Sequence, residues 1–202
     1  MKQLEKLILA SASPRRKEML EKIGLKFTVQ PSEIAEVGYD GIPEKIPSRI
    51  VTQKMKASKA TYFSAAPSGS MGNDIFFLAA DTIVALGQES FGKPENVEQA
   101  RAMLKALSGK THQVYTCFRI EGLTGDFVEK TILTDVKMRT ITPDMLQWYL
   151  DTKEPFDKAG SYAIQGYGSA LVESIQGSYS NVVGLPLAEV IDALVELKVI
   201  SF

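Results

Sequence analysis

The run KLILA passes directly into Ser11, Ser13, Pro14, Arg15 and Arg16. Two hydroxyls, a helix-starting proline and two guanidinium groups at such a junction are the parts of an anion site. Free N–H groups at a helix start and the helix dipole favour phosphate, and the planar arginine fork matches its oxygens. Without an anion, arginines in a first turn oppose the dipole. Asp81 is a second anomaly, because it interrupts the apolar run IFFLAADTIVAL. Carboxylates are seldom buried unless paired or metal-bound, and strand ends in open α/β sheets are where ligands sit.

Other polar residues are less telling by themselves. Lys93 is pinned between Gly92 and Pro94. Lys54 shares a helix-like stretch with Lys56 and Lys59, which cannot all face one way, and such lysines are usually solvated. Glu36 lies in a loop-like stretch. Gln165, next to Gly166, can bond a ligand edge or local backbone. His112 is expected to make a structural hydrogen bond, since no Ser/His/Asp arrangement or Gly-x-Ser-x-Gly elbow accompanies it. The sequence also lacks a Walker A loop and a dinucleotide Gly-x-Gly-x-x-Gly turn.

These residues need a scaffold. KLILAS reads as a buried strand, and Ser13-Pro14 as the N-cap and first residue of a helix ended by Gly24. KFTVQPS reads as a second strand. IPSRIVTQKMKASKATYF reads as a helix with Ile50, Val51 and Met55 on one face and Ser48 as cap. SAAPSGSMGND is linker-like. IFFLAADTIVAL is a strand, and VEQARAMLKALSG a helix whose Val97, Ala100, Met103, Leu104 and Leu107 share a face. HQVYTCFRIEG and FVEKTILTDVKMRTI alternate as strands about the turn LTGD. Thr142-Pro143 starts a further helix, a glycine-rich stretch promises two more strands, and LAEVIDALVEL closes the chain as a helix. Alternation of strands and helices, then an antiparallel portion, predicts an α/β fold with a mixed sheet.

The totals narrow the function. The 202 residues have a net charge of −1 and one cysteine, Cys117. That balance gives no global field for nucleic acid or an anionic membrane. One cysteine and one histidine exclude an intrachain disulfide and a Cys- or His-rich metal cluster. No apolar run reaches the roughly 18–20 residues of a membrane helix. A soluble, cytoplasmic protein is expected.

The order of the motifs is more specific. LASASPRR, Glu36, Lys54, AADTIV, GKP, LSGKTHQVYT, EPFDKAGSYAIQGYG and GSYSNVVGLPL together resemble the Maf family of nucleoside triphosphate pyrophosphatases, from about Leu7 to Leu187. The resemblance implies one domain over residues 1–202, an elongated two-lobed mixed sheet flanked by helices with a central cleft, similar to inosine triphosphate pyrophosphatases. It implies hydrolysis of a nucleoside triphosphate to monophosphate and pyrophosphate with Mg²⁺ or Mn²⁺, and a homodimer. Asp81 and Glu36 would be the acids for metal and water, and Lys54 and Lys93 the cleft lysines. Ser11, Ser13, Arg15, Arg16, Thr82 and Gln165 would bind substrate. Arg16, Thr82 and Gln165 look like the dTTP/UTP branch; the alternatives are 7-methyl-GTP or another modified nucleotide, or a nucleotide-binding regulator of cell division.

Overall fold

The computed structural model describes residues 1–32, 34, 41–65 and 75–202. Of the linker-like stretch 64–74, residues 64 and 65 end the helix Ile46–Ala65, and residues 66–74 fall outside the described ones, as does Glu36. Strand β1 (Lys2–Gln3) pairs with the C-terminal β9 (Ile200–Ser201) and ties the two ends together. The main sheet has the order β3 (Thr28–Val29), β2 (Lys6–Leu9), β4 (Ile75–Leu86), β6 (Thr111–Gly122), β7 (Phe127–Met138), β8 (Val172–Gln176), with β5 (Glu89–Phe91) also on β4. The β3–β2–β4 part is parallel and the remainder antiparallel, so the sheet is mixed.

Helices α1 (Pro14–Lys22), α2 (Ile46–Ala65), α3 (Val97–Leu107), α4 (Pro143–Asp151), α5 (Tyr179–Val183) and α6 (Leu187–Glu196) flank this sheet. Several form where local sequence dictates. Thr142 caps α4 by accepting from the Met145 N–H at 3.2 Å, and Asn96 caps α3 through Gln99 N–H at 2.8 Å. In α3, Ala100, Met103, Leu104 and Leu107 are buried, whereas Val97 is exposed because it opens the first turn at the edge of the stripe.

Three local expectations change. Ser13 occupies the N-cap position of α1 but makes no side-chain capping bond. Ser48 lies inside α2, which continues from a 3₁₀ turn at Pro43–Lys45, and its hydroxyl donates to Glu129 at 2.6 Å. The glycine-rich stretch forms one strand, β8, preceded by 3₁₀ turns at Glu154–Asp157, Ala159–Ser161 and Gly166–Leu171. Positive-φ glycines at 160 and 166 favour those turns over extended chain.

Period 2 along β4 divides its residues between two faces. On one, Leu78 and Ala80 join a core with Leu20, Phe118, Val190 and Leu194, and Val84 joins another with Leu104, Val136 and Leu150. On the other, Phe77 and Ala79 pack with Val51, Met55 and Cys117, and Ile83 with Ile46 and Ile50. The Cys117 thiol is pushed up to about 12 by burial, so it packs as a neutral apolar group. Among the described residues no helix is long and apolar enough to cross a membrane.

Candidate active site

Asp81 and Thr82 break both faces of β4 at one level. Thr82 separates the two cores on its face, and Asp81 does the same on the face covered by α2. Along one edge of β4, parallel β2 pairs with Ile75 to Leu78 and antiparallel β5 with Val84 to Leu86. Between them, among the described residues, that edge carries no strand. The gap leaves the centre of a long strand without a partner strand on that side, while β6, on the other edge, keeps its register: Asp81 opposite Cys117 and Thr82 opposite Thr116.

The Lys54 ammonium donates to Asp81 Oδ1 at 2.7 Å, and both residues are only 5% exposed. Lys54 reaches Asp81 because it lies within the buried stripe of α2, between Ile50 and Val51 on one side and Met55 and Ser58 on the other. Removing two charges from water costs several kcal/mol per ion, roughly offset by their attraction. Such a pair adds little stability over apolar neighbours, which makes it a candidate for chemistry.

The β2–α1 junction closes the opposite wall. Arg16, buried in the first turn of α1, is held by three named bonds: Nε to the Gly184 carbonyl at 2.8 Å, Nη1 to Ser11 Oγ at 3.1 Å and Nη2 to Thr82 Oγ1 at 3.2 Å. Ser11 Oγ also accepts from the Ser13 N–H at 3.2 Å. Arg15 points to the rim, where Nη1 meets Asp157 Oδ2 at 3.1 Å, and Lys158 reaches the same carboxylate. Both cations hold the exposed Asp157 carboxyl below its ordinary range against the opposing effect of burial. Lys93, after β5, is exposed at this rim.

The remaining wall, residues 156–165, is shaped from behind by Glu154. Its carboxylate accepts from the Tyr149 hydroxyl at 3.0 Å and from the N–H groups of Tyr167 and Gly168 at 3.0 and 2.8 Å. Burial and Glu154 raise the Tyr149 phenol, which stays protonated as the donor. Gly168 is required here, since a Cβ would stand 2.3 Å from the Ala163 carbonyl. Tyr162, at the cavity, bonds His112 Nε2 at 2.7 Å, the structural bond expected of that histidine.

Burial pushes the His112 pKa down to about 4, against the smaller pull of Asp135. An unfolded imidazole titrates near 6.5, so between about pH 6.5 and 4 the unfolded chain binds the extra proton. Stability is therefore expected to fall by about 3 kcal/mol as pH drops through that window, and to stop falling on this account below it. Urea unfolding at pH 7, 5.5 and 4.5 measures the slope. In His112→Gln this component should vanish, and an unchanged slope assigns it to other groups.

These walls enclose a cavity of about 440 Å³. Of the ten candidate residues read from the sequence, nine line it: Ser11, Ser13, Arg15, Arg16, Lys54, Asp81, Thr82, Lys93 and Gln165. The tenth, Glu36, lies outside the described residues. Among the lining residues are five cations (Arg15, Arg16, Lys54, Lys93, Lys158) against two carboxylates (Asp81, Asp157), on a chain whose net charge is −1. The positive excess is thus local. The family model for Maf-like proteins matches residues 6–197. The chain belongs to the Maf-like family.

Similar proteins include one from Desulforamulus reducens, named dTTP/UTP pyrophosphatase, 42% identical over 93% of this chain and 94% of its own. Another of that name, from Pyrococcus furiosus, is 44% identical over 96% of each chain. A nucleoside-triphosphatase / dITP/XTP pyrophosphatase structure from Mycobacterium abscessus aligns at TM-score 0.47 and 14% identity over 95% of this chain and 97% of that one.

Sequence reasoning missed several cavity residues of this Maf-like chain. Lys158 was visible as a cation fixed beside Ala-Gly in EPFDKAG, the pattern that singled out Lys93. Gly184, whose carbonyl holds Arg16, gave no signal beyond a glycine after Asn-Val-Val. Among the described residues no group of three or more His, Cys, Asp or Glu could hold a metal. Asp81 offers carboxylate oxygen, and among the described residues no histidine or cysteine lines the cavity with it, a donor set that fits Mg²⁺ or Mn²⁺, which take one or two protein carboxylates and fill their shell from phosphate and water.

Proposed function

We propose that this chain hydrolyses nucleoside triphosphates, dTTP and UTP above all, to the monophosphate and pyrophosphate. The observation that carries this reading is the buried Asp81–Lys54 pair at the floor of a cavity with a cationic rim. A triphosphate carries about four negative charges, and catalysis of phosphoryl transfer is mainly positioning and neutralisation of charge. The names of relatives at 42% and 44% identity support the choice of substrate.

In this reading the α1 start, Ser11, Ser13, Arg15 and Arg16 take up phosphate oxygens, and Lys93 and Lys54 share the remaining charge. Asp81 accepts a proton from the water that attacks the α-phosphorus, and the bond from Lys54 keeps that carboxylate aimed. The α–β bridging oxygen leaves with pyrophosphate, its growing charge met by the rim cations. Thr82 and Gln165 set the nucleotide preference. Asp81 with Glu36 would hold a divalent Mg²⁺ or Mn²⁺, which supplies further neutralisation of the phosphates. The chain acts as one domain whose apolar cores form two lobes about the cleft, in a cytoplasmic homodimer.

Pyrophosphate release across dTTP, UTP, CTP, GTP, 7-methyl-GTP and ITP, with and without Mg²⁺ or Mn²⁺, tests the reading. Turnover of dTTP and UTP at least tenfold above the others is the expected result. Preference for 7-methyl-GTP overturns the substrate assignment, and no release from any nucleotide overturns the reaction.

A further inference from the structure

We infer that Thr116 is a positioning residue: through Thr82 it fixes the Arg16 guanidinium at the cavity wall, with the Asn181 backbone as its anchor. The kinetic consequences rest on the function proposed above; the geometry does not.

The supply of hydroxyl hydrogens sets the direction of this chain of bonds. Thr116, Thr134 and Asn181 are fully buried. The Thr116 hydroxyl donates its one hydrogen to the Asn181 carbonyl at 3.0 Å, an atom that can only accept. Its 2.9 Å contact with Thr82 Oγ1 must therefore take the hydrogen of Thr82. Thr82 is left facing Arg16 with lone pairs alone, and Arg16 Nη2 donates to them at 3.2 Å. The chain of bonds thus runs one way, from Arg16 through Thr82 and Thr116 to Asn181. A hydroxyl free to turn would present its hydrogen to the guanidinium for part of the time.

The anchor is itself fixed. Asn181 Nδ2 donates to the Val114 carbonyl at 3.1 Å and to Thr134 Oγ1 at 2.9 Å. Thr134 Oγ1 also accepts from the Ser178 N–H and donates to the Ser178 carbonyl, which uses its full capacity. The Gly184 N–H donates to the same Asn181 carbonyl, and the Gly184 carbonyl takes Arg16 Nε. Two of the named bonds on Arg16 therefore trace to the one turn that Asn181 begins. The polar seam costs apolar contact between two cores, and a positioned guanidinium is what that cost supplies.

Thr116→Val keeps shape and removes the hydroxyl. Its expected effect is a KM for dTTP raised about tenfold with kcat within about twofold, as for binding lost equally from ground and transition states. Thr116→Ser should recover wild-type KM to within about twofold, and Thr82→Val/Thr116→Val should match Thr82→Val alone, because the two act in series. A purely structural role would lower Tm in every Thr116 variant and leave KM unmoved. The second readout needs no turnover: in ¹⁵N spectra the Arg16 Nη signals, separate in the wild type, should merge in Thr116→Val as rotation of the guanidinium is freed. Thr116→Ala, made in parallel, serves if the valine variant does not fold. Unchanged Arg16 signals, failure of serine to rescue, or fully additive losses in the double variant overturn the inference. A wild type inert toward all nucleotides would sink the proposed reaction, and the Arg16 spectra would still decide this one.

Discussion

Asp81→Asn is expected to slow pyrophosphate release about a thousandfold at saturating dTTP, within the range seen when a positioned proton acceptor is removed. The substitution is nearly isosteric. Its amide oxygen can still accept from Lys54 Nζ, now 2.7 Å from Oδ1, so the floor of the cavity keeps its shape. What disappears is the negative charge, and with it the ability to take a proton from water or to ligate a hard cation. Strand β4 is held by β6 along ten residue pairs, from Phe76 opposite Gly122 to Ala85 opposite Gln113, so the fold should survive. The measurement pairs kcat with Tm. A rate within tenfold of wild type in a folded variant would remove Asp81 from the chemistry.

The second large effect concerns stability. Lys54→Met should lower it by about 3–5 kcal/mol, the cost of leaving a buried charge without its partner. Methionine fits beside Met55 and Val51, so lost packing contributes little. Replacing both members, Lys54→Met with Asp81→Leu, should return most of that loss, because no ion then remains to be desolvated. Urea unfolding of the wild type, both single variants and the double variant gives the coupling energy. Recovery in an inactive double variant shows that the pair is kept for chemistry and is dispensable to the fold. A double variant as unstable as the summed singles would make the pair a structural brace.

Much of the local structure follows from near neighbours. The apolar run 75–86 is a strand because it is β-rich and long enough to be covered on both faces, and it occupies those residues in the structure. Pro14 sits at the first position of α1 and Gly24 follows its end at φ +79°, both fixed by their own backbone preferences. The single interruption of that strand at Asp81 pointed to the level at which β2 stops and β5 has yet to start.

Other features depended on residues far away in the chain. The lysine that turns inward is set by the stripe Pro47, Ile50, Val51, Lys54, Met55, Ser58, and a period gives a face without saying what the face will meet. Arg15 and Arg16 are adjacent and identical in type, yet Asp157 draws one to the rim and Gly184 takes the other inside. Ser13 looked like a cap, but Ser11 takes up its N–H while Arg16 binds the same hydroxyl.

By itself, then, the sequence determined the α/β pattern, the strand that carries Asp81 and the helix start that favours an anion, since each depends on residues within a few positions. Only the tertiary structure decided which cation meets Asp81, which arginine is buried in the cavity wall and how Thr116 and Asn181 support it. Those outcomes are hydrogen bonds and ion pairs across 27 to 168 positions of chain, and their partners are chosen by the packing of the sheet.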